Sequence, residues 1–291
     1  MEDSKLCEEV GTIVKVEREE DRVMATLALK VQDKMGKTIC VNNGEDYVSM
    51  VCCAEYQEGD QIVLEISESN IFVMLQLDDA MGEELCYVTG NVYYQIPFGE
   101  KRISYSPKAF YGNRHYLYAR IATKEEISSY RNLACNVYDQ HENKSCYPHA
   151  WANVETRGES VFAARNAIDK VCENRSHGEW PYESWGINMR DDAEITVEFG
   201  REVEVDKIVL FTRADFPHDN WWKQVSISFS DGTKEVIALE KSALPHTIPL
   251  TKRITTKVCL SELIKSEEPS PFPALSQILV YGREVGMEEQ K

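Results

Sequence analysis

All five tryptophans of the 291-residue chain lie in its second half, at Trp151, Trp180, Trp185, Trp221 and Trp222. Two segments set them among hydrogen-bonding side chains: SHGEWPYESWG (176–186) and TRADFPHDNWW (212–222). Aromatic faces match the C–H faces of sugar rings, and Arg, His, Asn and Asp give directional bonds to hydroxyls. A concave, partly apolar site with a few polar groups is built from such residues. The candidates in the second segment are Arg213, Asp215, His218, Asn220 and Trp221 or Trp222; His177, Trp180 and Tyr182 stand beside them from the first. The competing reading is structural, because large aromatics are mostly buried. Trp185, beside Gly186, reads as core. His177 and His218 are as well explained by loop histidines bonding backbone carbonyls, and Arg213 by a brace to Asp215 or Asp219. Trp221 and Trp222 cannot both point inward on extended backbone, where successive side chains alternate faces.

Catalytic patterns are missing. The chain has no G-x-S-x-G, no H-E-x-x-H, no C-x-x-C and no Gly-rich phosphate loop. His141, Cys146, His149 and Cys172 follow no known zinc-finger spacing. Asp191 and Asp192 are adjacent and point apart, which suits a solvated turn. No catalytic residue is assigned, and a non-enzyme is expected.

The elements that must position these loops are short strands. Apolar runs with period two recur at 22–30, 47–53, 61–66, 70–77, 91–96 and 115–122, then at 194–199, 205–211, 224–229, 235–239, 255–260 and 277–281. Runs this short, separated by Gly, Asp and Asn, predict an all-β protein of β-sandwich or jelly-roll modules. Thr123 with Glu125 and Glu126 predicts a capped short helix to about Tyr130. A second short helix is expected over 160–169. The polar segment 131–147 reads as a connector between a module at 1–130 and a second at 148–285.

Charge is uneven. The net charge is −17, and residues 1–100 hold 21 acidic against 7 basic side chains. So acidic a chain lacks the face that neutralises phosphates, which argues against nucleic acid and anionic membranes as partners. The N-terminus has neither a basic nor an apolar signal region. Nine cysteines without framework spacing suggest reduced thiols and a cytoplasmic protein.

Residues 148–283 resemble the discoidin-like carbohydrate-binding modules of the galactose-binding jelly-roll superfamily. The features run in order. Asn166-Ala167-Ile168-Asp169 with Asn174 is similar to the family's A-x-D-G-N loop, and Trp180-Pro181 with Ser184-Trp185-Gly186 to the loop that runs into its Trp. ITVEFG (195–200) and VDKIVL (205–210) resemble two of its strands, SFSDG (228–232) its S-x-D-G turn, and LSQILVYG (275–282) its closing strand. The resemblance implies a galactose-binding-like jelly roll with a saccharide ligand at the loops named above. It also implies a structural Ca²⁺ held by Asp169, Asn174 and Gln277. The family carries a Glu at the place of Gln277 and a Gly at that of Lys170. The superfamily includes protein-interaction modules, so a protein partner at the same loops is the alternative, as is an accessory subunit of a glycan-processing enzyme.

Overall fold

A computed structural model describes residues 24–173, 180–214 and 219–286. The molecule is all-β. Eight strands come first along the chain: β1 (Thr26–Gln32), β2 (Thr38–Glu45), β3 (Tyr47–Cys52), β4 (Gln61–Ile66), β5 (Ile71–Gln76), β6 (Glu84–Val88), β7 (Val92–Gln95) and β8 (His115–Ile121). Nine follow: β9 (Arg131–Asn132), β10 (Cys146–Tyr147), β11 (His149–Ala152), β12 (Trp185–Gly186), β13 (Ile195–Thr212), β14 (Trp222–Phe229), β15 (Lys234–Ala238), β16 (His246–Lys265) and β17 (Ala274–Glu284).

The first module is a sandwich of two antiparallel sheets, ordered β2-β1-β4-β7 and β10-β6-β5-β8-β3. Alternation explains the packing. Leu27, Leu29 and Val31 of β1 face Val73 and Leu75 of β5 and Leu117 and Ala119 of β8 in one buried cluster, and the intervening side chains point outward. Cys40 on β2 and Cys52 on β3 are disulfide-bonded, which ties the two sheets together. This departs from the expectation that every thiol is reduced.

In the second module the strand order is β12-β17-β13-β16-β14-β15, with β11 on β13 and β9 on β17. The sequence predicts two strands where the chain forms one, β13, of 18 residues. Gly200 adopts φ +70° inside it, and the pairing with β16 shifts register between Glu198 and Val203. A Cβ at Gly200 would stand 2.5 Å from the Tyr147 ring, so glycine is needed both for the conformation and for the close approach. Val197 and Phe199 before the break share one core with Val205, Ile208 and Leu210 after it. A single bent strand therefore wraps the core.

The capped helix is present: α1 (Lys124–Ser128) starts with a reciprocal capping box between Thr123 and Glu126. The helix expected over 160–169 is instead two 3₁₀ turns, Ser160–Phe162 and Ala164–Ile168. Extended backbone at Ala163 divides them. Asn166 sends its side-chain amide back to the Ser160 carbonyl at 2.8 Å, a bond that competes with helical pairing.

Residues 131–147 are built into both modules. β9 pairs with β17 of the second module, and β10 pairs with β6 of the first. Leu133 and Ala134 belong to one core, Val137, Tyr138 and Cys146 to the other. Among the described residues no helix is long and apolar enough to cross a membrane.

Candidate functional site

Arg213 directly follows β13, and its N–H bonds the Ala274 carbonyl at the start of β17 at 3.2 Å. Strand and loop thus deliver the side chain inward. The guanidinium is 3% exposed, donates from Nη1 to the Tyr182 carbonyl, and lies 3.0 Å from Asp219 Oδ2 through Nε. Burying a charge is costly unless it is paired, and Asp219 supplies the opposite charge.

The pair forms one wall of a cavity of about 230 Å³ at the loop end of the second module. The other walls are mainly apolar: Phe162 from the first 3₁₀ turn, Ile187 and Met189 after β12, and Phe272 between two prolines before β17. Ser184 also lines the cavity; its hydroxyl is buried without a hydrogen-bond partner. Asn188 and Met189 hold φ of +49° and +60°, an arrangement uncommon outside functional or tight-turn sites. The Asn188 N–H is fixed by Thr156 Oγ1 at 3.0 Å. Gly186 makes room for this packing, because a Cβ there would meet Thr156 Oγ1 at 2.6 Å and Phe162 at 3.2 Å.

The other candidates part company here. Asn220 is 0% exposed. Its amide points at the carbonyls of Ser266, Glu268 and Ser270, the last at 2.6 Å. Its Oδ1 accepts from Ser266 Oγ and the Trp221 N–H, each at 2.7 Å. A carboxamide has two donors and two lone pairs, so Asn220 is saturated within the chain and clamps the 266–270 loop. Trp222, 1% exposed, is a core plug whose ring lies 6.4 Å from that of Trp185. Trp221 points the other way, with Nε1 3.3 Å from Glu268 Oε1, as the alternation of side chains requires. Tyr182 is buried and contributes its carbonyl to Arg213. Trp180 lines a different cavity, between the modules. His177, Asp215 and His218 lie outside the described residues.

Sequence reasoning weighed Asp219 only as a brace and did not find Ser184, Phe162 or Phe272 as walls. Phe272 and its flanking prolines come from a loop some sixty residues beyond Arg213, and no local pattern marks them.

Asp169 and Gln277 are brought together, but not as oxygen ligands. Gln277 Nε2 donates to Asp169 Oδ1 at 2.7 Å and to the Asn166 carbonyl at 2.6 Å. Its Oε1 accepts the Lys170 N–H at 3.1 Å, which fixes which way the carboxamide faces, because an N–H must meet an oxygen. The buried Arg165 guanidinium adds a second donor, 3.0 Å from Asn166 Oδ1. Ca²⁺ takes six to eight oxygens. Here N–H groups stand among the oxygens it would draw on, so Asp169 and Gln277 as arranged do not fit the ion. Asn174 lies outside the described residues. Among those described, no group of three His, Cys, Asp or Glu side chains could hold a metal.

This geometry sets an expected result for scanning fluorimetry. Ca²⁺ or EDTA leaves the wild-type melting midpoint unchanged. Gln277→Glu, which sets a second carboxylate against Asp169, lowers the midpoint without metal and recovers it with Ca²⁺. A Ca²⁺-dependent shift in the wild type would contradict the amide assignment.

No family model matches the chain, and no curated protein matches it. Solved structures do. Chitosan-binding module 1 of a chitosanase/glucanase from Paenibacillus sp. IK-5 is 19% identical over 52% of this chain and 98% of its own, with a TM-score of 0.34. The family 32 carbohydrate-binding module of C. perfringens NanJ, in complex with galactose, is 17% identical over 45% of this chain and 91% of its own, TM-score 0.35. A fucose-binding module of Streptococcus pneumoniae is 15% identical over 53% and 98%, TM-score 0.36. About half of the chain is similar to carbohydrate-binding modules of known structure. At such identities and TM-scores the likeness by itself fixes no ligand.

Proposed function

We propose that the second module is a non-catalytic carbohydrate-binding module whose site is the Arg213 cavity. The pocket carries this reading: a buried, neutralised Arg213–Asp219 pair beside the buried Ser184 hydroxyl, faced by Phe162 and Phe272. A sugar ring lies with its C–H face on Phe272, and its hydroxyls bond the guanidinium, the Asp219 carboxylate and Ser184 Oγ. Because Asp219 balances Arg213, a neutral saccharide enters without an unpaired charge. Sites this small and shallow bind modestly, and specificity comes from the polar wall.

A glycan array followed by calorimetry on the retained sugar tests the reading. Phe272, 44% exposed, can be truncated with little effect on folding. Phe272→Ala is expected to weaken binding about tenfold, the scale of about 1.4 kcal/mol lost with one stacking surface. Retention of no glycan, or unchanged affinity in Phe272→Ala, overturns it.

A further inference from the structure

A second cavity, of about 120 Å³, opens between the two modules and shares no lining residue with the Arg213 pocket. Ser104 and Tyr105 line it from the first module; Arg165, Asp169, Trp180 and Glu183 line it from the second. Glu183 is 1% exposed. Its Oε2 accepts the Tyr182 N–H at 2.9 Å, and its Oε1 is buried with no hydrogen-bond partner among the described residues. An orphaned buried carboxylate oxygen is costly, and native structures rarely keep one without a use.

None of the described residues lining the cavity supplies what Oε1 lacks. Arg165 is committed elsewhere: Nε donates to the Asp139 carbonyl at 3.0 Å, Nη1 to Asn166 Oδ1 at 3.0 Å and Nη2 to the Val137 carbonyl at 3.4 Å. Its plane also lies over the Tyr105 ring, 4.3 Å from the centroid. Asp169 receives its bonds from Val171 and Gln277 on Oδ1. Among the described lining residues, two carboxylates thus face one guanidinium, leaving one negative charge in excess when both are ionised. An anion is repelled. A divalent metal lacks its oxygens. A neutral hydroxyl would satisfy the bond but not the charge. Trp180, 38% exposed, presents an aromatic ring at the same cavity, and such rings attract ammonium groups. At roughly 30 Å³ for each water-sized group, the space takes about four such groups.

We infer that this inter-module cavity binds a primary ammonium group on a short aliphatic stem, with Glu183 Oε1 as its acceptor and Trp180 as its aromatic wall. Ethanolamine hydrochloride is the probe, followed by NMR on the Trp180 indole N–H, with ethylene glycol and sodium propionate as neutral and anionic controls. Ethanolamine produces a saturable shift that the controls do not. Loss of a charge-assisted bond in Glu183→Gln weakens it by about tenfold or more. Trp180→Ala, a change at a part-exposed side chain, weakens it several-fold independently, read by calorimetry because this variant lacks the reporter indole. The inference is overturned if ethanolamine gives no saturable shift, if ethylene glycol gives the same one, or if both variants bind like the wild type.

Discussion

Glu183→Gln is expected to make the protein more stable at pH 8 and to leave it almost unchanged near pH 4. Burial, with the Asp169 charge second, pushes the Glu183 acid up to about 7 from the ordinary 4.5. The unfolded chain releases this proton first as pH rises. Between about 4.5 and 7 the folded state therefore binds more protons, and stability falls. The penalty is absent below the ordinary carboxyl range and complete above 7, where it reaches about 3 kcal/mol at 1.36 kcal/mol per pH unit. A glutamine has the shape of the protonated acid and carries no charge, so it removes the penalty. Urea unfolding at the two pH values checks this. A gain that does not depend on pH, or a loss at pH 8, would show that the Glu183 charge is not strained.

Asn220→Ala is expected to destabilise the protein by about 3 kcal/mol or more. Its amide serves three buried or half-buried carbonyls, at Ser266, Glu268 and Ser270. Each one left unsatisfied costs about 1–3 kcal/mol. Asn220→Asp should not rescue the loss, because a carboxylate cannot donate to carbonyls. The measurement is again urea unfolding, with an unchanged slope marking an effect on the folded state. A loss below about 1 kcal/mol would return Asn220 to the pool of ligand candidates.

The strands that alternate were the legible ones. YVSMVC and HYLYARI bury every second residue, and that period is written in their sequences. β2, TICVNNGE, is almost wholly exposed at a sheet edge, so no apolar period announces it. β16 runs for 20 residues from His246, through Pro249; only its central run at 255–260 reads as strand. Helix α1 was legible because a capping box is a local signal. In the site, Arg213 stood out as a charge at a strand end. Asn220 looked like a ligand residue for the same reason, because a polar side chain among aromatics reads alike whether it clamps a loop or meets a sugar. Its burial is decided by residues 266–270, far along the chain. The calcium expectation turns on one atom: a glutamine at 277 supplies an N–H where a glutamate would supply an oxygen.

The double anchoring of residues 131–147 has a consequence for how this protein can be taken apart. Arg131 reaches Glu284 at 2.6 Å, which Arg201 shares at the same distance, while Asn136 bonds the carbonyls of Cys146 and Pro148. A cut at residue 148 would strip β9 from the sheet edge at β17, remove Leu133 from beneath Gly282, and leave Glu284 with one of its two arginines. The second module is therefore not a portable cassette. A fragment meant to carry its pocket into another protein must begin before Arg131, and it would then bring along the apolar side chains that the first module normally covers.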